Sequence, residues 1–166
     1  MSAPTAIPTS EALRSYVIKT FKIANEEFVQ DLNALSEINL GKSWSGSRTA
    51  YDIAYEVGVL NRRMAMTCRE EDTGPWPWDF GKEWLKAPDE LQSKAAIVKH
   101  VEEAGQALLD SIGGNVEKIV RVAGPGGDAT RPIYQIVIGA AKHTFYHDAQ
   151  LNFMQEMTGD LEVHWE

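Results

Sequence analysis

Apolar residues recur along most of this chain at steps of three and four, the spacing that places side chains on one face of an α-helix. Four long stretches follow this pattern, and we predict helices at about 10–37, 47–69, 88–112 and 130–158. Glycine and proline residues separate these stretches, and strand signals are few. The pattern therefore predicts an all-α fold, a four-helix bundle with long connecting loops.

Two of the predicted connections have distinctive sequences. Residues 116–122 form a short alternating or irregular stretch that could be a strand-like connector. Residues 74–84, here called the aromatic loop, contain prolines and glycines and cannot form a regular helix. The aromatic side chains of this loop are Trp76, Trp78, Phe80 and Trp84. Because such a cluster is too apolar for a solvated linker, we predict that it covers the core, a ligand pocket or a subunit interface.

The last predicted helix carries two histidines on its apolar face. The residues of that face at helical spacing are Ile133, Ile136, Ala140, His143, His147, Leu151 and Met154. Two imidazoles four residues apart on a helix can converge on one metal ion. The alternative is structural, with each ring neutral and hydrogen-bonded to a buried carbonyl group.

An acidic residue, Glu56, lies within or beside the apolar face of the second predicted helix. That face is formed by Ile53, Val57, Leu60, Met64 and Cys68. Burying an unpaired carboxylate is costly, so such a group is usually paired, protonated or bound to a cation. If the two helices pack together, Glu56, His143 and His147 form a metal site with open positions for water or substrate. The alternative is that Glu56 lies at the edge of the apolar face and reaches solvent.

These motifs resemble those of a known family, the DinB-like (YfiT-like) metalloenzymes. The run from His143 to Asn152, in which the histidine pair is followed by Gln150, resembles the last helix of that family. The run at 44–57 is similar to the second-helix motif of the family. The resemblance extends over nearly the whole chain in length and helix order. It implies one DinB-like four-helix bundle domain over residues 1–166.

The resemblance also implies an activity. Known activities in the wider superfamily include thiol-dependent isomerases and thiol S-transferases, and family members generally have a third metal-binding histidine where this chain has Glu56. We therefore expect a mononuclear enzyme that uses zinc, nickel, iron or manganese for thiol transfer or hydrolysis. Its substrate would be a small molecule, such as a thiol, and its assembly a homodimer. The sequence does not identify catalytic residues beyond the metal ligands.

A competing hypothesis is a non-catalytic bundle that has lost the metal site and binds a small ligand or forms a dimer. Two other chemistries have little support in the sequence. Cys68 is the only cysteine and lies on an apolar face, which is typical of a buried structural residue. His143 is followed by Thr144, so the glutamate that serves as general base in HExxH peptidases is absent.

Composition and charge disfavour some classes of partner. The chain has 166 residues and 43% hydrophobic content, enough for one core. Its 16 basic and 24 acidic residues give a net charge of −8, which disfavours nucleic acid as a partner. No apolar run approaches the roughly twenty residues that span a bilayer, and the first nine residues lack the features of a signal peptide. We therefore expect no membrane partner and a cytoplasmic location.

Three other polar or small residues leave alternatives open. We expect His100 to face solvent rather than to be a ligand, since it lies on a charged helix. Gly58 is either a mild defect in its helix or a point of close approach between helices. Gln150 could orient a metal ligand or the end of its helix through a hydrogen bond.

Overall fold

Helices account for most of the chain. A computed structural model describes residues 9–44, 46–76, 78, 82–124 and 127–165. Within that part the elements are α1 (Ser10–Ala34), α2 (Glu37–Leu40), α3 (Ala50–Cys68), a 3₁₀ turn (Asp89–Leu91), α4 (Lys94–Ser111), β1 (Ile119–Gly124), β2 (Gly127–Pro132) and α5 (Ile133–Met157). The four predicted long helices correspond to α1, α3, α4 and α5, with different ends.

Side-chain caps explain where the helices begin. The side chains of Thr9, Ser36, Thr49 and Ser93 each accept a hydrogen bond from the backbone N–H three residues later, which satisfies a donor that has no partner within the helix. Ser36 begins α2, so the first predicted helix, which extended to residue 37, was too long. Ser93 begins α4, so the predicted start at residue 88 was too early.

A small antiparallel sheet corrects the all-α prediction. The predicted connector at 116–122 overlaps β1, which pairs with β2 in a register that places Val120 opposite Arg131 and Val122 opposite Ala129. The predicted helix start at residue 130 was wrong, because residues 130–132 belong to β2 and Pro132 has an extended backbone (φ −67°, ψ 147°). The pairing joins residues that are not neighbours in sequence, so helical periodicity gave no sign of it.

The long helices pack in four pairs, α3 with α4, α1 with α5, α1 with α4 and α3 with α5. Two clusters of buried apolar side chains lie between them. One contains Phe21, Met64 and Val137, and the other contains Phe28, Val57 and Leu151. The second cluster includes the sequence neighbour of Glu56 and a residue one turn from His147, so the candidate site lies beside this part of the core.

The contact between α3 and α4 decides two of the open alternatives. His100 is half-buried against Gly58, so the prediction that His100 faces solvent was wrong. Gly58 is the point of close helix approach. Among the described residues, no helix is both long and apolar enough to cross a bilayer.

Candidate metal site

The packing of α3 against α5 brings Glu56, His143 and His147 together. The Nε2 atoms of the two histidines are 3.1 Å apart, and Oε1 of Glu56 lies 3.3 Å from each of them. Glu56 is 5% exposed and His147 is 1% exposed. Glu56 is therefore buried, and the alternative in which it reaches solvent at the edge of its helix is excluded.

The spacing of these three atoms fits one shared metal ion. Ligand atoms about 2.1 Å from one ion, at angles between octahedral and tetrahedral, lie about 3.0–3.4 Å from one another. The observed separations of 3.1–3.3 Å fall within that range. Two imidazole nitrogens and one carboxylate oxygen are also a donor set that suits several divalent ions.

A basic residue, Arg48, lies inside the same cluster and was missed by the sequence analysis. Its guanidinium Nη1 forms an ion pair with Oε2 of Glu56, and the side chains of Arg48 and Glu56 are only 10% and 7% exposed. Arg48 belongs to the loop before α3, directly before the N-cap Thr49. The signal that could have found it was the buried acid, which needs a partner. Which residue pairs with Glu56 depends on the path of the loop before α3, and the helical pattern does not predict that path.

Gln150 contacts the second histidine, which agrees with one of its two predicted roles. Oε1 of Gln150 lies 2.7 Å from Nδ1 of His147 and 3.4 Å from Nη2 of Arg48. Nε2 of Gln150 donates to the hydroxyl of Tyr146 at 3.3 Å. Because arginine carries donors only, the amide atom that faces it must be the oxygen. Nη2 of Arg48 also lies 3.4 Å from Nδ1 of His147, but the 2.7 Å contact of Nδ1 with Oε1 of Gln150 is much shorter. On that distance, Nδ1 of His147 donates its hydrogen to Gln150, and Nε2 of His147 keeps its lone pair for the cluster.

Electrostatics favour an anionic carboxylate beside a neutral imidazole. Burial raises the pKa of Glu56, but the adjacent imidazoles of His143 and His147 and the charge of Arg48 outweigh it and hold the pKa well below its ordinary value. Burial lowers the pKa of His143, and the hydrogen bond to Glu56 offsets this only in part. Near neutral pH, Glu56 is thus charged and His143 is neutral, the protonation states that a metal site requires.

The aromatic loop divides into a part near the site and a part away from it. Trp84 is 54% exposed, and its ring centre lies 5.7 Å from the guanidinium carbon of Arg48. Trp78 is 7% exposed and packs against Trp76 with ring centres 4.8 Å apart. Trp78 is thus buried within the protein, whereas Trp84 borders the cluster. Phe80 lies outside the described residues.

Asp52 anchors the segment that follows Trp84 to the start of α3. One carboxylate oxygen accepts the backbone N–H of Ala87 at 2.9 Å, and the other lies 3.3 Å from Nζ of Lys86. The same side chain completes the capping box of α3 with Thr49. Asp52 therefore holds the edge of the site in place through both elements.

Other titratable residues are less suited to chemistry. Cys68 is buried, and burial raises the pKa of its thiol, so the thiolate is disfavoured as the sequence analysis expected. A second group of metal-capable side chains, Asp160, Glu162 and His164, lies near the C-terminus and is at least partly exposed. Within it, Nε2 of His164 and Oδ2 of Asp160 are 2.8 Å apart, so these two residues satisfy each other without an ion.

Comparisons with known proteins identify the fold. The sequence matches no family model and no curated protein. The structure is similar to the crystal structure of a DinB-like protein from Bacillus cereus ATCC 10987, with a TM-score of 0.66 and 14% sequence identity. The match covers 90% of this chain and 94% of the other. At that level of identity the likeness concerns the fold alone. The chain therefore has the DinB-like fold, as its motifs at 44–57 and 143–152 predicted.

Proposed function

We propose that this protein is a mononuclear metal-dependent enzyme in which Glu56, His143 and His147 hold one divalent ion. The observation that carries the proposal is the convergence of three buried or half-buried donor atoms, 3.1–3.3 Å apart, from two different helices. Mixed nitrogen and oxygen ligands admit zinc, nickel, iron or manganese. The ion would supply Lewis acidity and lower the pKa of a bound water or thiol.

The residues around the cluster define how a substrate would reach it. The side chain of His143 is 22% exposed, whereas that of His147 is 2% exposed, so His143 is the more solvent-accessible of the two histidines. Trp84 borders the cluster beside Arg48 and offers an apolar surface to a small molecule. A small substrate such as a thiol fits this arrangement, and thiol transfer or hydrolysis is the chemistry we propose.

We also propose that the four long helices form a four-helix bundle that contains this site. Each of the four long helices packs against two of the others, which supports a bundle. Ligands on facing helices of a bundle project inward at a defined height, because the helix backbones are rigid. Glu56 on α3 and the histidine pair on α5 have this relationship.

A second candidate function is a non-catalytic bundle that binds a small ligand, and Arg48 is the observation that favours it. The ion pair between Arg48 and Glu56 already neutralises the buried carboxylate. The carboxylate of Glu56 is therefore satisfied without a metal cation, which is consistent with a structural role for the histidines.

Metal analysis of protein purified without a polyhistidine tag separates the two functions. We expect close to one equivalent of a divalent ion per chain after dialysis, or a rise in melting temperature when zinc, nickel, iron(II) or manganese is added. The matched control is a variant with His143→Ala and His147→Ala, which should bind none. A parent protein with no metal and no metal-dependent stabilisation contradicts the enzyme and favours the structural cluster.

A further inference from the structure

The guanidinium of Arg48 is buried and contacts groups on two helices. Its Nη1 pairs with Oε2 of Glu56 on α3, and its Nη2 lies 3.4 Å from Oε1 of Gln150 on α5. Arg48 as a whole is 9% exposed. A charge buried to this extent is costly unless its hydrogen-bonding groups are used. The contacts with Glu56 and Gln150 therefore stabilise the buried charge of Arg48 and make Arg48 a structural member of the cluster.

The first contact limits what Glu56 can offer. A free carboxylate presents two oxygens and can bind a cation with both. Here Arg48 holds Oε2, and Oε1 lies 3.3 Å from Nε2 of His143 and from Nε2 of His147. Glu56 is thus turned so that one oxygen, and not both, faces the histidines.

The second contact acts on His147 through Gln150. Because Arg48 requires an acceptor, it fixes the amide of Gln150 with Oε1 toward the cluster. The same oxygen lies 2.7 Å from Nδ1 of His147, whereas Nη2 of Arg48 lies 3.4 Å from that nitrogen. The shorter contact is the hydrogen bond, so Nδ1 of His147 carries the hydrogen and donates it to Gln150. The lone pair of His147 is left on Nε2, the atom 3.1 Å from Nε2 of His143. A hydrogen bond of this kind commonly sets the tautomer and ring orientation of a histidine ligand.

We propose that Arg48 is the positioning residue of this site, which orients Glu56 directly and His147 through Gln150. The inference rests on the proposed metal-binding function. It depends on the forked shape of the guanidinium as well as on its charge, because two acceptors on different helices are held at once. A lysine at position 48 would keep the positive charge but present one compact ammonium group. That group would hydrogen-bond Glu56 and Gln150 together less well than the forked guanidinium does.

The test is Arg48→Lys, with Arg62→Lys as the matched control. Arg62 lies on α3, is 45% exposed and pairs with Glu103 away from the cluster. Zinc affinity is measured by competition with a chromophoric chelator, and the visible spectrum of bound cobalt(II) reports the coordination geometry. We expect Arg48→Lys to lose roughly tenfold to a hundredfold in zinc affinity with a changed cobalt spectrum. We expect Arg62→Lys to match the parent.

A second measurement tests the positioning without any metal. Long-range ¹H–¹⁵N NMR of the metal-free parent should show His147 with its hydrogen on Nδ1. Arg48→Lys should shift His147 toward a mixture of tautomers, and Gln150→Leu should do so while the ion pair of Arg48 with Glu56 stays intact. Far-UV circular dichroism verifies that each variant is folded.

The outcomes separate the inference from the function on which it rests. A parent that binds zinc while Arg48→Lys binds it within threefold, with the tautomer of His147 unchanged, overturns the role of Arg48 and leaves the metal site standing. A parent that binds no zinc overturns the proposed function. In that case a tautomer that changes in Arg48→Lys and in Gln150→Leu still supports the positioning of His147.

Discussion

Gly58 on α3 lies directly beneath the imidazole of His100 on α4. A Cβ atom at position 58 would lie 2.1 Å from Nε2 of His100, well inside van der Waals contact. The ring of His100 also packs against Tyr55, with ring centres 5.5 Å apart. The absence of a side chain at position 58 thus lets α4 place an imidazole against α3.

Gly58→Ala should destabilise the protein by about 1–3 kcal/mol, because the methyl group would displace the half-buried ring of His100. In the background of His100→Ala the same change should be neutral or stabilising by up to about 1 kcal/mol, since alanine favours helix. Urea unfolding of the four proteins measures this coupling. Gly139→Ala is the control, because a Cβ atom there would meet nothing within 4 Å beyond its chain neighbours and the backbone of its own helix. Equal effects of Gly58→Ala in both backgrounds would show that His100 is not the cause.

Glu56→Gln should remove most of the stabilisation by metal and also lower the stability of the metal-free protein. The amide is a poorer ligand than the carboxylate, and the buried charge of Arg48 loses its partner, which costs about 3 kcal/mol. Melting temperatures with zinc and with a chelator separate the two effects. His143→Ala and His147→Ala should lose the ion more completely. Glu103→Gln, an exposed acid on α4, is the control. Unchanged zinc content in Glu56→Gln would remove Glu56 from the site.

Asp148 should make the protein less stable as the pH rises. Burial, followed by the neighbouring Asp31, raises the pKa of Asp148 to about 8, against about 3.9 in an unfolded chain. The folded state therefore binds a proton that the unfolded state releases. The stability from this proton is fully present below about pH 4 and is lost as the pH rises through about 8.

Asp148→Asn should remove that loss, with a melting temperature roughly 5 °C or more above the parent at pH 9 and a smaller difference at pH 4. Thermal unfolding between pH 4 and pH 9 is the measurement. Asp110→Asn, on the exposed side of α4, should follow the parent curve. Parallel curves for Asp148→Asn and the parent would show that Asp148 is ionised in the folded protein.

Arg63→Ala should release the first part of the aromatic loop. The guanidinium of Arg63 donates to the backbone carbonyls of Thr73, Gly74 and Pro75 at 2.8, 2.8 and 3.1 Å, and it lies 4.8 Å from the ring centre of Trp76. Its loss should cost about 1–3 kcal/mol and leave helix content unchanged. Faster proteolysis within residues 71–76 and a red shift of tryptophan fluorescence are the readouts.

Arg62→Ala is the matched control for this change, because Arg62 is the exposed neighbour of Arg63 on α3. It should alter neither proteolysis nor fluorescence. A loop in Arg63→Ala that is as resistant to protease as the parent would mean that other contacts of the loop are sufficient to hold it.

The predicted homodimer would use the exposed apolar face of α5. Tyr146, Phe153 and Met157 lie on one side of this helix and are 62%, 58% and 51% exposed. Phe153→Glu should convert a dimer into a monomer, because two copies would bring buried glutamates together. Sedimentation velocity at micromolar concentration measures the change. Ile38→Glu, at an 82% exposed position on α2, is the control. A parent that sediments as a monomer contradicts the dimer.

The prediction of the long helices succeeded where local signals were strong. Thr49 and Asp52 form a capping box, and α3 begins within three residues of its predicted start. The ends were less well predicted. Leu35 breaks α1 although it continues the apolar pattern, because Ser36 caps a new short helix. Periodicity marks the buried face of a helix, but it does not report where the backbone leaves the helical conformation.

The predicted site depended on a conditional packing step that only the structure could test. His143 and His147 are one turn apart, so their proximity follows from the helix alone. The approach of Glu56 depends on how α3 packs against α5, and the predicted arrangement is the one observed. Arg48 was not predicted as part of the site, because it lies in a loop. Helical periodicity indicates the direction of a side chain only within a helix.

By itself, the sequence determined the helical character of the chain, the apolar face that holds the two histidines, and the family whose fold it shares. These are properties of residues close together in sequence, where helix geometry relates spacing to direction. Only the tertiary structure decided that β1 pairs with β2, that Gly58 admits His100, and that Arg48 lies between Glu56 and Gln150. Each of these contacts joins separate segments, and their packing is set by the free energy of the whole core.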